Sequence, residues 1–411
     1  MMSLFRSHNF RSGWKMVSFY TVGCMSGSSL DGIDLCYAEF TGAIVTDKWQ
    51  YRILKAITVS YDSDWKSKLR SAKELMGEDL IKLHLEYGHF IGKTVKDFVE
   101  QEGIKNLDCV ASHGHTIFHQ PNLGYTFQLG DGETSAYYLK QPFVCNFRNK
   151  DVALGGQGAP LVPNGEKFLF NDNEICINLG GIANIGVKDL QGYDICPCNY
   201  VSNKLAAIHD PKLEYDPNGE ISETGIVIKE ILDKLDALHF YEQPPPKSLD
   251  GEWIEAEVLP ILDISQNSIP DLLMSYTEHV TNRLTEACKL ARDSLHAENK
   301  LIPETVLKVL VTGGGAFNKH LIRLLEGKLQ DQGFILEQVD EVTIAFKEAL
   351  IFAFLGLRCL LNQTNVFHSV TGSKADSVSG SIHRPAHYVN SDSRIIRYLL
   401  EKNKDRQTSC T

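Results

Sequence analysis

The chain has 411 residues, 43% apolar and 23% charged, with a formal net charge of −11. That balance excludes a disordered protein, and acidity without a concentrated basic stripe excludes a non-specific binder of nucleic acid or membrane surfaces. A small anionic ligand stays open, because converging backbone N–H groups hold phosphate without help from net charge.

Taken in chain order, the first fifteen residues carry Arg and Lys but neither an apolar core nor a small-residue cleavage site. Residues 1–16 therefore read as an extension rather than a signal peptide, with Met16 the expected native start. Val17–Gly23 is an apolar strand, MSGSSLDG a tight turn and Ile33–Phe40 a returning strand, together a hairpin. Residues 64–102 carry helical periodicity. LDCVASHGHTIFHQP runs from a strand into a His-rich loop, and DVALGGQGAPLVP marks a lobe boundary or a binding loop. Glu174–Val187 repeats the opening arrangement of strand, glycine turn and strand, which suggests an internal duplication. Residues 221–239 and 271–296 read as amphipathic helices. Val306–Val311 is a strand leading through TGGGAFN into a helix, FKEALIFAFLGLRCL is a strongly apolar helix, and the end is a helix with a frayed tail over 391–411. The expected lobes are 17–155 and 156–390.

Ten scattered cysteines do not make a disulfide scaffold, and reduced cytoplasmic thiols are expected. Cys196 and Cys198 lack a second pair at zinc spacing, so no structural metal is expected there. No apolar stretch reaches the roughly 18 residues that span a bilayer.

Three glycine turns carry the chemistry. In the first, Gly27 and Gly32 let the backbone approach an anion, Ser26, Ser28 and Ser29 offer hydroxyls, and Asp31 or Asp34 can reach a phosphate-bound Mg²⁺ through water. The spacing is not that of a Walker loop, since no Gly-Lys-Ser/Thr is present and a strand follows. An ordinary hairpin turn explains this element equally well. The second turn, with Gly180 and Gly181, and the third, Gly313, Gly314 and Asn318 at a helix start, shift the reading to ATP clasped by two hairpins with its adenosine on the third turn.

These motifs are similar to those of the actin-like, Hsp70-like and sugar-kinase superfamily. Within it the chain resembles anhydro-N-acetylmuramic acid kinases, through GCMSGSSLDGID, ASHGHTIFHQP, FQLGDG, NFRNKDVALGGQGAPLVP, NLGGIANI and PPKS. The resemblance runs from about Val17 to Pro385. It implies an α/β, two-lobed actin-like ATPase fold of duplicated ribonuclease H-like domains with a cleft between the lobes. It also implies a cytoplasmic homodimer using ATP and Mg²⁺. The implied reaction opens the 1,6-anhydro bond of the sugar with water while O6 takes the γ-phosphate, giving N-acetylmuramic acid 6-phosphate.

The family's base lies in a motif like Asp-Thr-Gly-Pro-Gly-Asn, which matches Asp194–Asn199 and makes Asp194 the expected base. Glu348 resembles the acidic position near metal and water, and a helix-dipole role explains it too. Arg148 is a candidate to grip the sugar's carboxylate or N-acetyl group. Gln157, Gly158 and His113 are placed beside the substrate. The chain departs from the pattern at Ile195, Cys196 and Cys198, at Asn146 where Asp is usual, and at Leu249–Glu252. Those departures keep two other readings open, a kinase for a different sugar and a nucleotide-gated binding protein.

Overall fold

In the computed structural model, Met16–Met25 (β1) turns back into Gly32–Ala43 (β2), and Trp49–Ser60 (β3) returns once more, both pairings antiparallel. The structure describes residues 16–27, 30–43, 47–188, 190, 192–245, 247–298, 300, 306–386 and 394–408. Cys109–Ser112 (β4) then pairs parallel with β1, His115–Gln120 (β5) and Tyr125–Leu129 (β6) form a separate hairpin, and Phe143–Cys145 (β7) lies parallel to β4.

The second half repeats this plan. Ile175–Leu179 (β8), Ile182–Val187 (β9) and Gly192–Pro197 (β10) form an antiparallel meander. Leu307–Thr312 (β11) and Phe334–Gln338 (β12) then add in parallel beside β8. Ser381–His383 (β13) closes the first sheet against β7. The sheet orders are β13-β7-β4-β1-β2-β3 and β10-β9-β8-β11-β12. In each, a three-stranded meander is followed by two strands parallel to its first, the duplicated α/β arrangement of the actin-like ATPase fold.

The chain divides into two compact units, Met1–Leu169 with Glu348–Thr411, and Phe170–Lys347. The division falls at Leu169/Phe170 where the sequence reading drew 155/156, and residues from Glu348 onward go with the first unit. The cause is packing against the first sheet. The helix Glu341–Leu360 is irregular at Phe346, and residues Ala349–Leu355 beyond that point are buried. A Cβ on Gly23 of β1 would lie 1.8 Å from the Ala349 carbonyl oxygen, and one on Gly356 would lie 2.4 Å from Ala111 Cβ. Burying each large side chain of that helix contributes about 1.5–3 kcal/mol.

Two expected helices are interrupted. The stretch read as 64–102 is Ser63–Ser71, capped by the Asp62 carboxylate on the Trp65 N–H, and Gly77–Gln101, with Leu75 and Met76 extended between them. The stretch read as 221–239 is Glu220–Glu223 and Lys229–Asp236. Between these two, Asp271 and Ser275 side chains accept from the Ile226 and Ile228 N–H groups, and Gly225 backs onto Pro270 so closely that a Cβ would lie 2.1 Å from its oxygen. Side chains of a neighbouring helix have taken donors that a continuous helix would use. That neighbour, Ile269–Ala297, starts at the Ser268 cap with Pro270 in its first turn. Among the described residues, no helix is long and apolar enough to cross a membrane.

Candidate functional site

In open α/β sheets the ends of parallel strands leave a crevice where ligands bind. The carboxyl ends of β1, β4 and β7 bring together most of the candidate residues of the first unit. Arg148, just past β7, donates from Nε and Nη2 to His113 Nε2 at 3.0 and 2.9 Å and from Nη1 to the Gly158 carbonyl at 2.8 Å. His113, just past β4, places Nδ1 3.0 Å from the Gly114 carbonyl. The ring therefore carries its proton on Nδ1 and accepts at Nε2. Burial and the Arg148 charge hold its pKa well below the usual histidine value. Burial also lowers Arg148 to about 10, against a raising effect from the Glu348 charge. The guanidinium is thus held on two sides before any ligand arrives, an arrangement suited to orienting an anion or a carbonyl.

Sequence reasoning missed Asp151. It is fully buried, and its Oδ2 accepts from the Gly158 N–H at 2.7 Å while Oδ1 accepts from the Thr371 hydroxyl at 2.6 Å. The Gln157 N–H donates to the Thr371 carbonyl at 2.8 Å. The loop that presents Gln157 and Gly158 is therefore pinned by one carboxylate. A charge directly before the apolar stretch Val152–Leu154 was the available signal.

The first glycine turn differs in part from expectation. Ser26 is buried, accepts from the Tyr61 hydroxyl at 2.7 Å and lies 2.9 Å from His115 Nδ1. Its hydroxyl is engaged inside the protein rather than offered to phosphate. Burial holds His115 neutral, with a pKa of about 4. Gly32 lies in β2, and its N–H donates to Asp31 Oδ1 at 3.0 Å, so this donor too is engaged. Gly27 lies two residues past the end of β1, and Ser28 and Ser29 lie outside the described residues.

Asp34 accepts from the Thr58 hydroxyl at 2.6 Å. Burial pushes its carboxyl up to about 6, with the Asp31 and Glu348 charges adding and the Thr58 hydrogen bond opposing. Glu348 lies within the helix Glu341–Leu360 just beyond the Phe346 irregularity, not in that helix's first turn. An acid raised in the folded state disfavours folding when ionised. The penalty is absent below the unfolded pKa, near 3.9, and complete once the pH has risen through about 6. Asp34→Asn should therefore raise the Tm of the nucleotide-free protein at about pH 8, with the gain vanishing near pH 4. A gain independent of pH in a melting series would refute this origin.

In the second unit, the carbonyls of Gly180 and Gly181 accept from the N–H groups of Cys198, Asn199 and Tyr200 at 2.8–3.1 Å. The glycine turn thus satisfies donors at the start of the helix Asn199–His209. Asn199 also donates from Nδ2 to the Leu179 carbonyl at 2.9 Å. The third turn meets the same place. A Cβ on Gly315 would lie 2.7 Å from Leu179 Cβ and 3.0 Å from Asn199 Oδ1, and one on Gly314 would lie 3.5 Å from Asn199 Nδ2. Gly180, Gly181, Gly313 and Gly314 accordingly form one surface at the ends of β8 and β11, with Asn199 as the residue that joins them. Asn318 uses its side-chain oxygen to cap the helix Lys319–Asp331 on the Leu321 N–H at 3.0 Å.

Asp194 lies within β10, next to a bulge between it and Cys196. Its Oδ2 accepts from the Leu249 N–H at 2.9 Å, and burial raises its pKa above the ordinary carboxylate value. That is the direction a general base needs. The cysteines that replace the expected glycines are accommodated without positive φ. Cys196 is in the strand, Cys198 has φ −132°, and both are buried with burial pushing their thiols up, Cys198 to about 12. Such thiols are inert to alkylation, so they give no handle on a ligand. Among the described residues, no group of three or more His, Cys, Asp or Glu is arranged to hold a metal ion.

Comparison with known proteins agrees with the motif reading. The family model described as anhydro-N-acetylmuramic acid kinase matches residues 19–385. The anhydro-N-acetylmuramic acid kinase of a Bacillus cereus strain is 31% identical over 393 residues, covering 89% of this chain and 99% of its own length. That of Francisella tularensis subsp. novicida is 31% identical over 389 residues, covering 89% and 98%. Among solved structures, the activator of the 2-hydroxyisocaproyl-CoA dehydratase from Clostridium difficile with bound ADPNP covers 82% of this chain and 94% of its own, at 14% identity and a TM-score of 0.36. At that score the likeness adds nothing to the sheet order. With the family match spanning nearly the whole chain, the protein belongs to the anhydro-N-acetylmuramic acid kinases, sugar kinases that transfer phosphate to an alcohol group.

Proposed function

We propose that this protein uses ATP to phosphorylate 1,6-anhydro-N-acetylmuramic acid with hydrolytic opening of its anhydro ring. Asp194 takes a proton from water, the water oxygen bonds to C1, and the C1–O6 bond breaks. O6 bonds to the γ-phosphorus as the bond to ADP breaks, giving N-acetylmuramic acid 6-phosphate. The observation that carries this reading is the family match over 19–385, with an acid retained at Asp194 inside an otherwise altered motif.

In this reading, Gly27, Ser28, Ser29, Asp31, Gly32, Asp34, Gly180, Gly181, Gly313, Gly314 and Asn318 are the nucleotide-binding residues. Arg148, held by His113, meets the sugar beside Gln157 and Gly158. Burial first, and then the like charges of Asp31 and Glu348, raise the Asp34 pKa, and a Mg²⁺ held mainly by water and phosphate oxygens would relieve that repulsion. Glu348 would hold the ion through water, and the ion would neutralise charge on the phosphoryl oxygens. A cytoplasmic homodimer completes the reading, and its support is the family resemblance.

The test is mass spectrometry of the products from ATP, Mg²⁺ and 1,6-anhydro-N-acetylmuramic acid in ¹⁸O water. The expected result is a sugar phosphate carrying one ¹⁸O on the sugar, with ADP formed in equal amount. Label appearing in free phosphate, with no sugar phosphate, would mean ATP hydrolysis alone and would overturn the proposal.

A further inference from the structure

Behind the Asp194 strand lies a half-buried hydrogen-bonded chain of Asp236, His279 and Tyr241. His279, on the helix Ile269–Ala297, is fully buried. Its Nδ1 is 2.6 Å from Asp236 Oδ1 and its Nε2 is 2.9 Å from the Tyr241 hydroxyl. A neutral imidazole meets both partners in one way only, donating from Nδ1 to the carboxylate and accepting at Nε2 from the phenol. The Arg283 guanidinium lies over the Tyr241 ring at 5.3 Å, with its Nε 3.4 Å from Asp236 Oδ1, and so braces both ends of the chain.

This chain connects to Asp194 by short steps. Tyr241 sits in the turn His239–Glu242, where the Phe240 carbonyl accepts from Lys247 Nζ at 3.0 Å and the same ammonium lies 4.5 Å from the centre of the Phe240 ring. The Lys247 carbonyl accepts the Asp194 N–H at 3.0 Å, and two residues on, the Leu249 N–H donates to Asp194 Oδ2 at 2.9 Å. The residue pair that cradles Asp194 is thus anchored on the turn that His279 holds. Tyr276, three residues before His279 on the same helix, donates to the Pro197 carbonyl at 2.9 Å and ties down the end of β10. One face of one helix therefore fixes both the Asp194 strand and the segment that holds its carboxylate.

A buried imidazole with polar partners is costly, because an apolar side chain of similar volume serves stability as well. What it adds is a single orientation. We propose that Asp236, His279 and Tyr241 are positioning residues that orient the Asp194 carboxylate toward the water it deprotonates, acting through Phe240, Lys247 and Leu249. The inference rests on the reading of Asp194 as the base.

Steady-state kinetics of Tyr241→Phe, His279→Leu, His279→Gln and Asp194→Asn test it in the sugar-phosphorylation assay. Tyr241→Phe keeps the ring and removes only the hydroxyl. Its kcat should fall about 10- to 100-fold, as small misplacements of reacting groups do, with the KM for ATP changed less than about twofold. His279→Gln, which keeps an acceptor near Tyr241, should retain more turnover than His279→Leu. If His279→Leu does not fold, Tyr241→Phe decides. A kcat within about twofold of the parent for Tyr241→Phe, beside an inactive Asp194→Asn, overturns the positioning role and leaves the base intact. An active Asp194→Asn overturns the base reading and this inference with it. Equal losses in kcat and in ATP affinity would show general loosening, and would also overturn it.

Discussion

Asp194→Asn is expected to lower sugar phosphorylation by about 10²–10⁴-fold, the usual contribution of a positioned base, while ATP binds with unchanged affinity. The substitution keeps the shape of the side chain and an oxygen for the Leu249 N–H, so the loop has no cause to move. What it removes is basicity. That basicity is already enhanced, since burial raises the carboxyl above its ordinary pKa and so strengthens its hold on a proton. Turnover is read as sugar phosphate formed, and ATP affinity by calorimetry with a non-hydrolysable analogue. Near-normal turnover would remove Asp194 from the chemistry and make Glu348 the next carboxylate to test.

Gly313→Val should be the most damaging change among the glycine turns. Gly313 has φ +85° and ψ 170°, a backbone state that side chains with a Cβ rarely adopt. A Cβ there would lie 2.7 Å from Asn178 Oδ1 and 2.9 Å from the backbone of Leu179. Strain and overlap together should cost about 2–4 kcal/mol of stability. Because the neighbour displaced is the second glycine turn, ATP affinity should fall by more than about tenfold, a loss of about 1.4 kcal/mol or more. Gly327→Ala is the control in the same unit. It lies in the helix Lys319–Asp331 with nothing within 4 Å of an added Cβ, and should gain about 1 kcal/mol. Thermal melts and ATP titrations of the two variants decide the matter. An unaltered ATP affinity in folded Gly313→Val would detach this turn from the nucleotide.

The glycine turns and the strands leading into them were legible because each is a largely apolar run followed by glycine. Other elements were hidden for identifiable reasons. β3 carries Arg52 and Lys55, is half exposed along its length and is defined by its pairing with β2, so its own residues announce little. β10 contains Asp194 and ends at Pro197, a composition that reads as a turn, yet its pairing with β9 makes it a strand. The break near residue 225 depends on Asp271 and Ser275, far along the chain. In the candidate site, Arg148 and His113 were each visible as residue types, but their union is made by the parallel placement of β4 and β7. The role of Asn199 as the joint between the second and third turns likewise needs the sheet order β9-β8-β11. Local chemistry is written locally, whereas partnerships belong to topology.

The return of the chain to the first sheet at Glu348 has a consequence for biosynthesis. Ribosomes deliver the chain from its amino end at about 5–20 residues per second, and domains usually fold as they emerge. The first unit cannot do so, because the face of β1 at Gly23 is covered by residues that follow the entire second unit. The continuous stretch Phe170–Lys347 is thus fully translated while the amino-terminal sheet still lacks its lid of Ala349–Leu355. During that interval the nascent protein displays an uncovered apolar surface, the kind of surface that molecular chaperones recognise.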